Sequence, residues 1–297
     1  MKGCGLLEYR DRGNEIEILG CNDFDLVKTV QCGQCFRWDA DDMGRCIGVA
    51  FGRAVQLRRH GDSVYISCSL EDFETIWRGY FDLDRDYAEI CRDLCIDAFM
   101  EQALEYSAGI RILRQDSWEA LCSFIISQRN NIPRIKKIIS ALCREFGDSF
   151  EFDGRLFHSF PSAQRLAELL PEDLGQIRSG YRAAYIINAA QAIASGDINL
   201  DALARSSQED ARASLKTLQG IGDKVADCAL LYGLHMLDAF PRDVWVNRAI
   251  SEQYGPNFDP GVFSPYAGIA QQYIFHYVRN SSQTDKDAAN AASSSPY

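Results

Sequence analysis

Two periodicities divide the chain. From residue 14 to residue 70 apolar and polar positions alternate. In "CIGVAFGRAVQLRRHGDSVYISC" (Cys46–Cys68) β-branched and aromatic residues interleave with polar ones. Gly52 and "HGDS" (His60–Ser63) supply turns at strand-length spacing. This predicts a small antiparallel sheet. From about Leu70 the period lengthens. "EDFETIWRGYF" (Glu71–Phe81) and "DAFMEQALEYSAG" (Asp97–Gly109) place apolar residues three and four apart, as amphipathic helices do. The helical pattern then runs to about Asn280. "SWEALCSFIIS" (Ser117–Ser127) is apolar nearly all round and predicts a buried central helix, and Pro133 suits the first turn of the next, over Ile132–Gly147. Further helices are expected at "SAQRLAELL", "RAAYIINAAQAIASG", "ARASLKTL", "DKVADCALLYGL", "DVWVNRAI" and "GIAQQYIFHYV". The tail "SSQTDKDAANAASSSPY" (Ser281–Tyr297) is polar and of low complexity, which predicts a disordered end. The expected fold is α+β: a β-sheet domain with its following helices over 1–110, a helical body over 111–280, and the tail.

Composition adds limits. No apolar run is long enough to span a membrane, and "MKGCGLLEYRDRGNEIEI" carries charges throughout, so an intracellular protein is expected, cytoplasmic or nucleoid-associated in a prokaryote. Eleven cysteines, an odd count in a long chain without an export signal, read as free thiols. The net charge of −11 argues against a polyanion as partner. The segment Arg111–Arg144 runs against that sum. Arg111, Arg114, Arg129, Arg134, Lys136, Lys137 and Arg144 face only Asp116 and Glu119 there.

"LQGIGDKVADC" (Leu218–Cys228) breaks a helical pattern with two glycines and restarts it near Asp223. Gly220 and Gly222 clear side chains from the turn, so backbone N–H groups and the start of the second helix can approach a phosphate. A glycine-capped link between two bundle helices fits the same letters. Lys224 decides between them. A lysine in a first helical turn opposes the helix dipole, and beside an anion-binding turn it is suited to act as an amine nucleophile. In "FPRDVWVNRAI" Asp243 precedes another helix and reads as its cap.

At this point the residues resemble a known family. A hairpin of this kind followed by an aspartate is similar to the helix–hairpin–helix (HhH-GPD) DNA glycosylases. The "GIGDKVADC" form resembles the 8-oxoguanine DNA glycosylases among them. "GQCFRW" (Gly33–Trp38), "ILRQDSWEALCSFIISQRNNIPRI" (Ile112–Ile135), "GYRAAYI" (Gly180–Ile186) and "SPYAGIAQQYIF" (Ser264–Phe275) resemble four more segments of that family, in its order. The likeness spans roughly Gly33 to Tyr277. It implies a monomeric base-excision enzyme that binds damaged double-stranded DNA and flips 8-oxoguanine into a pocket, with cytosine opposite. Lys224 would attack the sugar, form an imine and nick the strand by β-elimination, while Asp243 stabilises the developing positive charge. Gly33 would offer its carbonyl to the purine N7–H. Phe275 would stack on the base and Gln271 read its pairing edge. Cys228, one turn after Lys224, would form a pocket wall, with a thiolate partnering the ammonium as a further reading. Tyr181 would wedge the duplex, and Arg134 and Arg182 would read the orphaned cytosine. Gly220, Gly222, Asn130 and Trp245 would lie against DNA.

Three positions depart from that pattern. Arg129 stands where the first of three asparagines is usual, Trp245 where a histidine is common, and Asp223 puts a negative charge on the hairpin, where it is expected to cap the helix. "CGQC" (Cys32–Cys35) has redox spacing, but strand follows it, and pairing it with Cys91 and Cys95 makes an unconvincing zinc set, so core cysteines are expected. No cysteine follows Cys228, so the iron–sulfur cluster of some lysine-bearing relatives is not expected, nor is any catalytic metal. A monovalent cation on the hairpin carbonyls stays compatible with the sequence. The alternatives are a glycosylase for another oxidised or ring-opened base, and a non-catalytic DNA-binding module that uses the hairpin alone.

Overall fold

The computed structural model describes residues 7–293, with side chains described as far as Ser281. Residues 1–6 and 294–297, the ends of the expected sheet domain and tail, lie outside the described residues. The alternating segment forms an antiparallel six-stranded sheet. Its strands are β1 (Tyr9–Asp11), β2 (Ile16–Ile18), β3 (Trp38–Ala40), β4 (Cys46–Ala50), β5 (Arg53–His60) and β6 (Ser63–Ile66), in the order β1-β2-β6-β5-β4-β3. Gly52 and Gly61 take positive φ in the turns that join β4 to β5 and β5 to β6. Register places Ile16 and Leu57 on either side of Ile66, at the centre of the face that carries the sheet's buried apolar residues. That face packs on Phe73, Trp77, Tyr80 and Phe81 from the helical stretch that follows. The alternation did not announce the helix Leu26–Gln31, which interrupts the strands between β2 and β3 and is capped by Asp25.

The second core belongs to the helical body. The Ser117–Ser127 helix lies at its centre, with every residue from Trp118 to Ile126 buried except Glu119. Glu119 pairs with Arg37, Nη1 to Oε2 3.1 Å, and so ties that helix to the strand side of the molecule. Burial pushes the Glu119 carboxyl up to about 7, with Arg37 pulling the other way. The helices Tyr87–Leu94 and Ala98–Tyr106 join this second core rather than the sheet. A β-hairpin of β7 (Ser149–Phe152) and β8 (Arg155–His158) was not foreseen; its alternation covers only a few residues per strand. The last helix runs from Ala267 to Ser293, past the expected end at Asn280. The polar tail thus begins as a continuation of that helix, consistent with the alanines at 288, 289, 291 and 292. Among the described residues no helix is long and apolar enough to cross a membrane.

One close approach fixes the sheet. Gly48 on β4 lies opposite Trp38 on β3, and the indole covers the space a Cβ would need. Trp38 donates from Nε1 to Tyr80 Oη at 2.8 Å and stacks on that ring. Gly48→Ala is expected to cost about 1–3 kcal/mol through overpacking. Urea unfolding should show a lower midpoint at unchanged slope. An unmoved midpoint would mean that Trp38 shifts freely.

Candidate active site

The hairpin is built by two helices, Gln208–Leu215 and Asp223–Cys228. Ile221 N–H closes the turn on the Leu218 carbonyl at 3.2 Å, and both side chains are buried beneath it. Gly220 has φ +80, and a side chain there would run into the Tyr185 ring. Gly222, not Asp223, is the N-cap, and no side chain caps the helix. The expected capping role of Asp223 is therefore corrected: it is the first helical residue, and its carboxylate meets Lys216 Nζ at 2.5 Å. That hydrogen bond holds the Asp223 carboxyl below its ordinary range. A second bridge, Arg212 to Asp227 at 2.6 Å, braces the same two helices.

Lys224 follows in the first turn. Its Nζ donates to Ser127 Oγ at 3.3 Å and lies 5.1 Å from the Phe124 ring centre. Ser127 in turn donates to the Phe124 carbonyl at 2.8 Å. The Lys224 charge also acts on the Cys228 thiol one turn on. Burial nevertheless pushes the Cys228 thiol up to about 11, against the pull of the lysine. Burial thus favours the thiol form of Cys228 over the thiolate. Asp243 caps the helix Val244–Gln253, its Oδ1 accepting from Val246 N–H at 2.8 Å. Burial raises its pKa, and the Val246 N–H and the Lys224 charge pull it back. One ammonium thus acts on a buried thiol and on a half-buried carboxylate.

Gly33 lies against Ile132 and Phe275. With φ +92, it leaves room that a Cβ would close, meeting Ile132 Cδ1 at 3.3 Å and Phe275 Cε1 at 3.4 Å. Phe275 and Gln271 sit one turn apart on the last helix, on one face. Gln271 is 4% exposed, and its Oε1 is buried without a hydrogen-bond partner. A buried acceptor left unpaired is costly, so this oxygen points to a donor brought by a ligand. Sequence reasoning missed the residues that fix the Gly33 loop. Gln34 Nε2 donates to Thr29 O (2.9 Å) and Arg111 O (2.8 Å), while its Oε1 accepts from Leu113 N–H at 2.9 Å. Gln115 Nε2 donates to Gln34 O at 2.7 Å, and Gln272 Nε2 to Cys32 O at 3.3 Å. Arg279 was missed as well; its guanidinium lies 5.8 Å from the Phe275 ring centre. Only the "Q" of "GQC" and the paired "QQ" of the last helix hinted at this network.

The expected DNA-facing residues gather around the turn after Ser127. Asn130 Nδ2 donates to Ile126 O at 3.2 Å, and Asn131 caps the next helix by accepting from Arg134 N–H at 3.0 Å. Arg129 and Arg134 are exposed. Tyr181 is exposed, with the Arg182 guanidinium 4.6 Å from its ring centre. Arg182 itself is buried and donates to the carbonyls of Gln128, Ser179 and Arg129. Trp245 stands apart from these and lines a cleft of about 390 Å³ with Phe99 and Tyr277. The cationic segment is thinner on the surface than in the sequence. Arg111 is buried against Asp23 (2.6 Å), and Lys136 pairs with Asp39 (3.0 Å). Among the described residues no group of three or more His, Cys, Asp or Glu is placed to hold a metal.

Comparisons with known proteins return the family expected from the five motifs. Residues 18–121 match the model for the 8-oxoguanine DNA glycosylase N-terminal domain, and residues 122–261 that for HhH-GPD superfamily base excision DNA repair proteins. The chain is 34% identical over 255 residues to an N-glycosylase/DNA lyase of Saccharomyces cerevisiae, covering 77% of this chain and 68% of that protein. It is 32% identical over 283 residues to an N-glycosylase/DNA lyase of Arabidopsis thaliana, covering 85% and 77%. The solved structure of MBOgg1 with a low-affinity DNA ligand aligns with a TM-score of 0.89 at 40% identity, over 93% of this chain and 99% of that one. The Clostridium acetobutylicum 8-oxoguanine glycosylase/lyase, in complex with double-stranded DNA containing cytosine opposite 8-oxoG, aligns with a TM-score of 0.87 at 34% identity, over 93% and 98%. With two adjoining family segments over residues 18–261 and a relative more than 30% identical over two thirds of its length, this chain belongs to the 8-oxoguanine DNA glycosylase family of HhH-GPD base excision repair proteins.

Proposed function

We propose that this chain excises 8-oxoguanine from double-stranded DNA, with cytosine opposite, and then cleaves the strand at the abasic site. The observation that carries the reading is the cluster in which Lys224 acts electrostatically on both Cys228 and Asp243. The flipped base lies against Phe275, with Cys228 as an uncharged wall. The Gly33 carbonyl accepts the N7–H that 8-oxoguanine has and guanine lacks. Gln271 Oε1, unpartnered in the protein alone, accepts from the base's pairing edge. A site built around that hydrogen bond rejects guanine by leaving a buried acceptor unpaired, a penalty of about 1–3 kcal/mol.

In the reaction Lys224 gives up a proton, its neutral amine bonds to C1′ and the glycosidic bond breaks, the electron pair leaving with the base, which takes up the proton. Asp243 stabilises the positive charge that builds on the sugar. Ring opening gives an imine between Lys224 and C1′. The imine acidifies the C2′ proton, whose loss expels the 3′ phosphate and nicks the strand. Tyr181 wedges the gap in the duplex, Arg134 contacts the opposite strand, and the open N–H groups of the hairpin approach the backbone. The reading needs neither a metal nor an iron–sulfur cluster.

Borohydride trapping on a duplex with one 8-oxoguanine opposite cytosine tests the nucleophile. Wild type should form a covalent protein–DNA adduct, and Lys224→Gln should form none. Base release by the wild type without an adduct would move the chemistry to water and Asp243. Asp243 generates a second prediction. Only the carboxylate stabilises the sugar cation, and burial raises its pKa, so excision should fall on the acid side with a midpoint above an ordinary aspartate's. The folded pKa exceeds the unfolded one, so ionisation opposes folding, and the contribution of this group to stability falls as pH rises through its range. Asp243→Asn keeps a capping side chain. It should unfold no more easily than wild type at pH 7 while losing at least about a hundredfold in excision rate. A markedly less stable Asp243→Asn would show that the charge supports the fold. The hairpin gives a third. Asp223→Asn frees Lys216, so affinity for undamaged duplex should rise and the slope of log K against log salt should steepen by about 1. An unchanged slope would place that pair outside the DNA contact.

A further inference from the structure

We propose that Ser127 is a positioning residue for Lys224: its hydroxyl accepts one N–H of the amine and so leaves the amine's lone pair free to face the sugar. The proposal rests on the glycosylase reading above, in which Lys224 is the nucleophile. Ser127 is the last residue of the central helix Ser117–Ser127. That helix closes in a tighter turn. The Gln128 N–H bonds the Ile125 carbonyl, three residues back, at 3.4 Å, where a continuing α-helix would use the Phe124 carbonyl four residues back. The Phe124 carbonyl is taken by the Ser127 hydroxyl instead, which donates to it at 2.8 Å. The helix terminus thus sets the direction of the hydroxyl proton.

A hydroxyl carries one proton and two acceptor lone pairs. With its proton committed to Phe124, the Ser127 oxygen can only accept from Lys224 Nζ, 3.3 Å away. That direction suits the chemistry. A neutral amine has two N–H groups and one lone pair, and the lone pair is what bonds to C1′. A hydroxyl free to donate would hydrogen-bond the lone pair and compete with the sugar for it. Ser127 takes an N–H, and the lone pair is left to point elsewhere. The same contact serves the ammonium before its proton is lost, so the side chain need not move between the two states.

The surroundings reinforce this placement. Lys224 Nζ lies 5.1 Å from the Phe124 ring centre. That ring is fixed in the core, stacked on Tyr232 at 5.2 Å and edge-on to Phe36 at 5.7 Å. Phe124 therefore supplies both the ring face beside the amine and the carbonyl that orients Ser127. Lys224 and Ser127 are each half-buried, so the amine is held without being closed off from solvent. A lysine stem is flexible, and holding its amine in one placement removes orientational freedom that would otherwise be lost on reaching the transition state.

Single-turnover kinetics test this with wild type, Ser127→Ala and Ser127→Thr on two substrates. One is a duplex with 8-oxoguanine opposite cytosine, and the other is the same duplex with a preformed abasic site. Displacing a base from a closed sugar needs the lone pair aligned with C1′. The open aldehyde of an abasic site is mobile, and it forms an imine with a less constrained amine. Ser127→Ala should lose about tenfold in base release, at an unchanged half-saturating enzyme concentration, and no more than about threefold in borohydride trapping on the abasic site. Threonine keeps the hydroxyl and can make the same bond to a carbonyl in the preceding turn, so Ser127→Thr should release base within about threefold of the wild-type rate. If Ser127→Ala does not fold, Ser127→Cys, a weaker donor and acceptor of similar size, takes its place. Unchanged base release in Ser127→Ala would overturn the proposal. Equal losses on the two substrates would also overturn it, because the serine would then act through the fold, and so would a Ser127→Thr as slow as Ser127→Ala. No base release or no adduct with wild type would remove the reading of Lys224 as nucleophile and this one with it, whereas any of the three other results with an active wild type removes this one alone.

Discussion

Burial sets the terms at the reacting centre. Cys228 and Asp243 are both drawn toward ionisation by Lys224, and both are pushed the other way by desolvation. For the thiol burial prevails, so Cys228 stays neutral and contributes shape. For Asp243 the outcome is intermediate, because its carboxylate also caps a helix and accepts the Val246 N–H. The anion facing Lys224 is therefore one whose position is fixed by a helix terminus and whose charge is costly to keep. A carboxylate in that condition gains most when positive charge appears next to it, which is what departure of a base from a sugar provides. The hairpin, the cap and the central Ser117–Ser127 helix all serve to keep amine and acid in this relation.

The pocket wall depends on a different device. A backbone carbonyl can discriminate between bases only if its loop cannot turn away. The loop around Gly33 is held by three glutamines, Gln34, Gln115 and Gln272, each donating to backbone carbonyls from a different part of the chain. Gln272 is held in turn by Tyr232, whose hydroxyl donates to it at 2.5 Å from the segment that continues the catalytic helix. The Gly33 loop and the helix that carries Lys224 are thereby connected through buried side chains. Buried amides of this kind fix geometry because each must satisfy several bonds at once.

These two devices were unequally legible in the sequence. The sheet could be read from alternation because one face of β5 and β6 is buried and the other is more exposed. The helices were legible for the matching reason, and Lys224 and Asp243 stood out as charges at helix starts. The helix Leu26–Gln31 and the hairpin of β7 and β8 were not, since neither is long enough to establish a period. The partners of buried ions were hidden altogether. Arg37 finds Glu119, and Arg111 finds Asp23, across more than eighty residues of chain, a separation that only folding removes. Counting Arg111 as a surface cation was the natural error, because charge is visible in a sequence and burial of that charge is not. Asp223 misled for a nearer reason. Gly222 already provides the cap, so the aspartate one residue later was left to pair across the hairpin.

The same bookkeeping explains how a chain of net charge −11 can act on a polyanion. On the hairpin helix that carries Lys224, both acidic residues are paired. There Asp223 is neutralised by Lys216 and Asp227 by Arg212, while Arg129 and Arg134 project from the turn that begins at Ser127. Positive charge is thus confined to a few points near the gap. What remains is contact that requires a particular geometry, an extruded base on one side and an orphaned one on the other. On the proposed reading such an arrangement serves an enzyme that must leave normal guanine untouched, because contacts that need an extruded base form only where the base has left the stack.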